Sequence, residues 1–175
     1  MDVTLSAGGS VVSLEPLYVV DAGPFDAFYR REYPSLRAVA AALGGVDCAD
    51  DLVQDTMLRA LVQWRRVSVL ERPGGWCHRV LLNVCRSWHR RRRTEARHWS
   101  RQRAVEPVVG GPSADTVAFC RAVRKLPVRP RSAVVLFYIG DRPVAEVAVI
   151  LGVPEGTVRS DLSRARVAMA TELGL

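Results

Sequence analysis

The chain has 175 residues with a formal net charge of +7 and a sequence pI near 9.9. This length allows one ordinary domain or two small ones, and the charge favours a polyanionic partner over an acidic small molecule. Lys125 is the only lysine, and arginine suits phosphate and guanine because its planar group binds them through paired hydrogen bonds. A GC-rich genome would produce the same bias toward arginine, so the bias alone does not identify the partner.

The cysteines and the apolar runs exclude further classes of protein, namely zinc-binding, secreted and membrane-spanning ones. Cys48, Cys77, Cys85 and Cys120 include no CxxC pair and no histidine at zinc-ligand spacing, so we expect reduced, partly buried thiols. No apolar run reaches the roughly 18 residues that span a bilayer, and the N-terminus lacks the features of a signal peptide. The protein is therefore expected to be soluble and cytoplasmic, with no cofactor, no metal and no membrane insertion.

The first predicted helix follows a leader. Residues 1–22 show no helical period, and we expect a mobile leader or a short local strand there. From Pro24 onward, aromatic and apolar residues return at helical spacing until glycines 44 and 45 end the run. Pro34 interrupts this pattern, which predicts a kink or two abutting helices.

Residues 49–64 form the stretch on which the interpretation depends. They include no glycine or proline, and their apolar residues recur in steps of three and four, as on one buried helical face. Asp47 is a candidate N-cap for this helix. The buried face is predicted to carry Ala49, Leu52, Val53, Thr56, Ala60 and Trp64. The opposite face carries Asp51, Gln54, Asp55, Leu58 and Arg59. In so basic a chain, this acidic face favours a basic protein partner over DNA.

A second long helix is predicted over residues 76–93, after a loop over 65–75 that proline and glycine close. Its core face is expected to carry Trp76, Val80, Val84 and Trp88. Its polar stripe carries Arg79, Asn83, Arg86, Ser87, Arg90 and Arg91. A basic stripe beside tryptophans suits a phosphate backbone and unstacked bases. The alternative is a solvated helix end whose arginines face the negative end of the helix dipole.

Residues 96–114 break all periodicity and predict a flexible linker. Its typical span is roughly 25 Å, and about 65 Å when it is drawn out, so residues 23–95 and 115–175 could occupy separate points on one large partner.

In the second of these modules, residues 132–139 predict a short buried helix, with a buried strand as the alternative.

Residues 143–166 carry the most specific local pattern. A short helix is followed by Gly152, which permits a sharp turn, and by Pro154, which is expected at the first position of the next helix. The next helix is predicted to bury Val158, Leu162, Ala165 and Met169. It is predicted to expose Thr157, Arg159, Ser160, Ser163 and Arg164. This arrangement predicts a helix-turn-helix that presents its second helix to a DNA major groove, with a plain pair of antiparallel helices as the alternative.

The acidic helix, the helix over residues 76–93 with its Asn83, and residues 144–166 resemble, in that order, bacterial RNA polymerase sigma factors of the extracytoplasmic-function group. The resemblance covers about residues 25–173. It implies an all-α fold of two small helical domains joined by a flexible linker: sigma domain 2 at 23–95, and sigma domain 4 with its helix-turn-helix at 115–175. The implied function is that of a promoter-specificity subunit, without catalysis, that binds core RNA polymerase and opens promoter DNA.

The resemblance also implies a role for each surface. The residues that bind the clamp helices of the polymerase β′ subunit would be Asp51, Gln54, Asp55, Leu58 and Arg59. Those that open and read the minus-ten element would be Trp76, Arg79, Asn83, Arg86, Ser87, Arg90 and Arg91, with the loop over 66–73. Those that read the minus-thirty-five element would be Glu155, Thr157, Arg159, Ser160 and Arg164. The polymerase β subunit and an anti-sigma factor are further partners that the family implies.

Three positions depart from the family pattern. Ser87, Pro154 and Asp161 stand where an aspartate, a capping serine and a basic residue are common. Asp161 would repel phosphate, so we expect it to pair with Arg159 or Arg164. Residues 140–143 are also an unusual lead into the helix-turn-helix.

Two other functional classes are open to the sequence. A stand-alone helix-turn-helix regulator would bind promoter duplex unaided, and the acidic helix would then be ordinary surface. An enzyme could use Asp50, Asp51 and Asp55 as a magnesium cluster, but the chain lacks the second acidic cluster that diphosphate chemistry needs.

Overall fold

The computed structural model describes residues 23–98 and 114–173, and all regular structure in these ranges is helical. The all-α prediction is therefore confirmed. The predicted leader at 1–22 and residues 99–113 of the predicted linker lie outside the described ranges. No helix of the described part is long and apolar enough to cross a membrane.

Helix α1 spans Gly23–Gly44 and is continuous through Pro34, so the expectation of two abutting helices is excluded. Its apolar residues pack inward, with Phe28, Leu36 and Val39 almost fully buried. One charged side chain of α1, Glu32, is buried as well.

Helix α2 spans Val46–Val62 and begins earlier than its predicted cap. Gly45 holds the N-cap position with a φ of 115°, a conformation that glycine adopts at little cost, and no side chain caps the helix. The prediction of Asp47 as N-cap was therefore wrong, because Asp47 already lies in the first turn. The predicted buried face is confirmed at Ala49, Leu52, Val53, Thr56 and Ala60. Trp64 is half-buried, and its ring centroid lies 5.0 Å from that of Phe28.

Helix α3 is a single turn at Trp64–Val67, and α4 spans Pro73–His98. Proline suits a first helical position because it has no N–H to leave unpaired. The predicted core face of α4 was partly wrong: Val84 is buried, but Trp76, Val80 and Trp88 are only half-buried. The deeply buried side chains are Cys77, His78, Leu81, Leu82 and Cys85. The buried arc of α4 is wider than the predicted core face and is rotated relative to it, because α4 packs against α1 and α2 and also against α7.

The second module comprises α5 (Ala114–Lys125), α6 (Val128–Val134), α7 (Val144–Leu151) and α8 (Glu155–Leu173). A π-helical segment, Val135–Ile139, extends α6. Helix was therefore the right prediction for residues 132–139. The two modules pack directly on each other, α4 against α7 and α1 against the π-helical segment, and their buried apolar residues belong to one cluster.

The described thiols agree with the expectation of reduced cysteines. Cys77 and Cys85 are free and buried, and burial raises the pKa of each to about 12. Cys48 is free and half-buried. The side chain of Cys120 lies outside the described part.

Buried His78 should make stability depend on pH. Burial lowers its pKa from 6.5 to about 4, so between these values the unfolded chain binds a proton that the folded chain does not. The free energy of unfolding should fall by about 2 kcal/mol as the pH drops from about 7 to about 5. His78→Gln should remove most of this slope in urea unfolding.

His89→Gln is the matched control, because His89 lies on the same helix, half-buried, with Nε2 2.9 Å from the Leu43 carbonyl oxygen. The pKa values of Glu32 and Asp50 are lowered from 4.5 and 3.8, so both carboxylates titrate below this pH window. An unchanged slope in His78→Gln would contradict the assignment.

Candidate polymerase and promoter interfaces

The acidic face of α2 points into solvent. Asp51, Gln54, Leu58 and Arg59 are exposed, and Asp55 is partly exposed with its carboxylate 3.0 Å from Arg59 Nη2. Together with aromatic and apolar residues of α1 and α2, this face lines a shallow groove: Phe25, Tyr29, Asp51, Gln54, Asp55, Met57, Leu58 and Leu61. An apolar floor with carboxylates at its rim suits a helix that carries basic residues.

Asp50 is engaged inside its own module and does not belong to this groove. Its Oδ1 accepts a hydrogen bond of 2.8 Å from Arg37 Nε and another from the Tyr33 hydroxyl. Two hydrogen bonds hold the pKa of Asp50 below its usual value. The one from Arg37 has the larger effect and the one from Tyr33 the smaller. Within residues 23–98 and 114–173, no group of three His, Cys, Asp or Glu side chains could hold a metal ion, so Asp50, Asp51 and Asp55 do not form the cluster that the enzyme alternative needs.

The polar stripe of α4 is largely open to solvent. Arg79, Asn83, Arg86, Arg90 and Arg91 are exposed, whereas Trp76 and Ser87 are partly exposed. In the described part of the chain, no carboxylate forms an ion pair with Arg86, Arg90 or Arg91. These guanidinium groups are therefore free of the acidic partners that would compete with phosphate.

Two further features belong to this stripe. The guanidinium of Arg92 lies 5.0 Å from the ring centroid of Trp88, a cation–π contact. Arg86, Arg90 and Arg93 also face Arg131 across a cleft of about 500 Å³ between α4 and the second module. The cleft is basic, which fits a polyanion.

The helix-turn-helix is formed by α7 and α8. Gly152 takes the left-handed conformation, with φ 68° and ψ 39°, as the predicted sharp turn requires. Helix α8 begins at Glu155, so Pro154 lies just outside it and not at its first position. The Pro154 carbonyl oxygen accepts from the backbone N–H of Thr157 at 3.0 Å and of Val158 at 3.2 Å.

The two faces of α8 agree with the predicted pattern. Val158, Leu162, Ala165 and Met169 are buried. Glu155, Arg159, Ser163 and Arg164 are exposed, and Thr157 and Ser160 are partly exposed. Five of these outward side chains are the predicted minus-thirty-five residues: Glu155, Thr157, Arg159, Ser160 and Arg164.

Asp161 has a different partner from the one expected. It is 1% exposed and receives hydrogen bonds of 2.7 and 3.2 Å from Arg129 of α6. Arg159 pairs instead with Glu155, at 2.7 Å. The expectation failed because residues 158, 161, 162 and 165 share one helical face, so Asp161 points inward where a neighbouring helix supplies the cation. It therefore cannot repel DNA phosphate.

A third group of charged residues escaped the sequence analysis. Arg142, in the loop before α7, bridges two buried carboxylates, Glu32 of α1 and Glu146 of α7. The only signal was the unusual lead at residues 140–143, which contains Arg142. Its partner Glu32 lies 110 residues away in the chain.

Comparisons with known proteins agree with this geometry. Residues 28–95 match the family model for Sigma-70 region 2, and residues 117–169 match that for Sigma-70, region 4. The chain is 34% identical over 153 residues to the ECF RNA polymerase sigma factor SigM of Mycobacterium tuberculosis, an alignment covering 86% of this chain and 77% of the relative. The chain belongs to the extracytoplasmic-function family of RNA polymerase sigma factors. It is also 35% identical over 140 residues to EcfG of Rhodopseudomonas palustris, covering 76% of each.

Solved structures give the same result. The sigma factor RpoE of Bartonella quintana, in complex with the anti-sigma factor NepR, is similar with a TM-score of 0.72 and 29% identity, covering 87% of this chain and 98% of that one. CnrH, in complex with the cytosolic domain of CnrY, shares the fold with a TM-score of 0.63 at 22% identity, covering 86% of this chain and 87% of that one. This sigma factor is thus a promoter-specificity subunit of RNA polymerase, and the alternative of a stand-alone regulator is disfavoured.

The ion pair between Arg129 of α6 and the buried Asp161 of α8 generates a stability prediction. Arg129→Ala should leave the Asp161 carboxylate buried without its cation, and the melting temperature should fall by at least about 3 °C. Arg159→Ala is the matched control, because it removes an ion pair between the exposed side chains of Arg159 and Glu155 and should shift the melting temperature by less than about 1 °C. Equal shifts in the two variants, measured by circular dichroism, would contradict the assignment.

Proposed function

We propose that this sigma factor binds core RNA polymerase through the acidic face of α2 and contacts the promoter through α4 and α8. Residues 23–95 would act as sigma domain 2 and residues 115–175 as sigma domain 4, with residues 96–114 as the linker. The observation that carries the proposal is the segregation of charge: an exposed acidic face on α2 is separate from the arginine stripe on α4, in a chain of net charge +7.

The polymerase contact would consist of Asp51, Gln54, Asp55, Leu58 and Arg59. Leu58 is 59% exposed, and it stands among carboxylates beside the apolar groove. A helix of the polymerase β′ clamp could place an apolar side chain against Leu58 and basic side chains against Asp51 and Asp55. The β subunit would be a second contact within the polymerase.

The minus-ten contact would consist of Trp76, Arg79, Asn83, Arg86, Ser87, Arg90 and Arg91. Flipping a base out of the duplex costs a few kcal/mol. The unpaired arginines of α4 can hold the phosphate backbone, and an aromatic ring such as that of Trp76 can stack on an unstacked base. These interactions would offset the cost of opening.

The minus-thirty-five contact would consist of Glu155, Thr157, Arg159, Ser160 and Arg164. Arginine reads guanine in the major groove through paired hydrogen bonds, and a glutamate can accept from the cytosine amino group. Because Glu155 also holds Arg159 at 2.7 Å, the two side chains would reach the groove as a positioned pair.

The proposal also covers catalysis and location in the cell. The protein would act without catalysis of its own and in the cytoplasm, where RNA polymerase works.

The sigma factor of Bartonella quintana has been solved with an anti-sigma factor, which supports an anti-sigma partner for this chain too. A pull-down of the tagged protein from its own cells should recover one, and a pull-down that recovers only polymerase would count against it.

Reversing one charge on α2 tests the polymerase contact. Asp55→Arg should reduce co-purification with core polymerase at least tenfold, because it places a cation where basic clamp residues would bind. Asp26→Arg is the matched control, since Asp26 is also a helical carboxylate paired with an arginine four residues on. Run-off transcription should fall in parallel, with an unchanged circular dichroism spectrum. Equal polymerase binding by the two variants would refute the assignment.

Removing one outward arginine of α8 tests the minus-thirty-five contact. Arg164→Ala should weaken holoenzyme binding to a promoter and lower the slope of log K against log salt by about 1, the value for one phosphate contact. Arg166→Ala, an exposed arginine on the same helix outside the proposed surface, should leave the slope unchanged. If Arg166→Ala lowered this slope and Arg164→Ala did not, the assignment of the DNA-reading face of α8 would be wrong.

A further inference from the structure

The basic cleft between α4 and α6 has the size of a small-molecule site, and we call it the α4–α6 cleft. Its volume is about 500 Å³, within the range of roughly 300 to 1,000 Å³ that ligand pockets occupy. Among the described residues, none lines both this cleft and the groove on the acidic face of α2. The cleft is therefore separate from the proposed polymerase contact.

Four arginines give the α4–α6 cleft its positive charge. Arg86, Arg90 and Arg93 follow one another on α4 in steps of four and three, which is the spacing of residues on one helical face. Arg131 of α6 lines the same cleft. None of the described lining residues is acidic, and within residues 23–98 and 114–173 no carboxylate forms an ion pair with any of the four. Because like charges in one cavity repel each other, an anion that neutralised them would bind favourably.

The guanidinium group of Arg131 is held in place without a ligand. Its Nε donates to the Leu126 carbonyl oxygen at 3.2 Å, and its Nη2 donates to the carbonyl oxygens of Leu126 and Arg124 at 2.8 and 2.6 Å. Burial lowers the pKa of Arg131, and the nearby cations Arg124 and Arg93 lower it further, because each disfavours another positive charge. A donor that is already fixed loses little conformational entropy when an anion binds to it.

Part of the cleft wall is apolar. Leu43, Leu82 and Val128 line it, and Val128 is 59% exposed despite its apolar side chain. His89 adds an imidazole ring, whose Nε2 lies 2.9 Å from the Leu43 carbonyl oxygen. A free phosphate would leave these side chains in water, whereas the sugar and base of a nucleotide would cover them.

The arginines determine which kind of anion suits the cleft. Guanidinium groups bind phosphate oxygens through paired hydrogen bonds, and four of them suit a chain of linked phosphates better than a single phosphate. A DNA duplex also carries phosphates, and it could follow the exposed side of α4. The half-buried Arg131 instead favours a small ligand that can enter the cleft.

We propose that the α4–α6 cleft is a binding site for a nucleoside oligophosphate, which places its phosphates on the four arginines and its nucleoside against Val128 and His89. Because Arg86 and Arg90 also belong to the proposed minus-ten contact, a bound nucleotide would compete with promoter DNA for them. This competition rests on the proposed function, whereas nucleotide binding by the free protein does not.

Isothermal titration calorimetry of the free full-length protein tests the site. The probes are ATP and GTP, without magnesium so that the phosphates carry their full charge, and inorganic tripolyphosphate, which lacks a nucleoside. At least one of the nucleotides should bind with one site per chain, and at least about threefold more tightly than tripolyphosphate, because the nucleoside buries apolar surface. Val128→Ser should remove this advantage and leave the affinity for tripolyphosphate unchanged.

Two arginine variants test the phosphate end of the site. Arg93→Ala and Arg131→Ala should each weaken nucleotide binding by about tenfold or more, because each removes charged hydrogen bonds to phosphate. Arg166→Ala is the matched control, since it removes an exposed arginine of α8 that does not line the cleft, and its affinity should stay within about twofold of the parent value. If Arg131→Ala unfolds, as measured by circular dichroism, the result for the exposed Arg93 decides.

Three results would overturn the site: no saturable nucleotide binding, tripolyphosphate that binds as tightly as both nucleotides, or equal weakening by Arg166→Ala and Arg93→Ala. Variants of Arg93 and Arg131 that bind nucleotide normally but promoter duplex weakly would assign the cleft to DNA and would overturn it too. Failure of the parent protein to direct initiation by core polymerase would instead overturn the proposed function alone.

Discussion

The packing of α1, α2 and α4 on one apolar core is the constraint on which the proposed interfaces depend. A helix that buries one face must present the other, and the 3.6-residue period determines which side chains are presented. On α2, burying Leu52, Val53 and Thr56 leaves Asp51 and Asp55 on the solvent side. The proposed polymerase surface is therefore a consequence of how domain 2 folds, and it requires no separate structural element.

Two buried carboxylates in distant parts of the structure are each neutralised by an arginine. Asp161 in domain 4 and Glu32 in domain 2 are each buried, and each is met by an arginine from another helix or loop. The Asp161 pair holds α6 to α8 within one domain, whereas the Glu32 pair holds two domains together. Since a buried carboxylate is tolerated only when it is paired, each pair fixes the relative placement of the elements that it joins.

The sequence predicted the elements with strong local periodicity and missed what depends on distant neighbours. The buried and exposed faces of α2 and α8 follow from spacing alone, and so does the glycine turn at Gly152. The core face of α4 was misjudged because α4 packs on two sides, and the periodicity of one helix does not show how many partners it has. Asp161 was assigned a neighbour on its own helix, although its partner lies on α6.

The interdomain contact was beyond the reach of sequence reasoning for the same reason. Nothing in the spacing of Glu32 and Arg142 relates them, because the rest of domain 2, the connector and the first helices of domain 4 lie between them in the chain. The family resemblance supplied the functional class and the order of the motifs. It did not supply the contact in which Arg79 of α4 donates hydrogen bonds to the Ile150 and Val149 carbonyl oxygens at the end of α7.

The π-helical segment Val135–Ile139 has a geometric consequence for this arrangement. Its wide turn closes with a hydrogen bond of 2.9 Å from the Gly140 N–H to the Val135 carbonyl oxygen, which accommodates one residue more than an α-helical turn. Each residue advances an α-helix by about 100°, so that single extra residue rotates everything downstream by more than a quarter of a circle. Loss of one residue from this segment would aim Arg142 away from Glu32 and would disturb the packing of α7 and α8 against α6. The direction in which the loop with Arg142 leaves α6 thus depends on one added residue in the backbone.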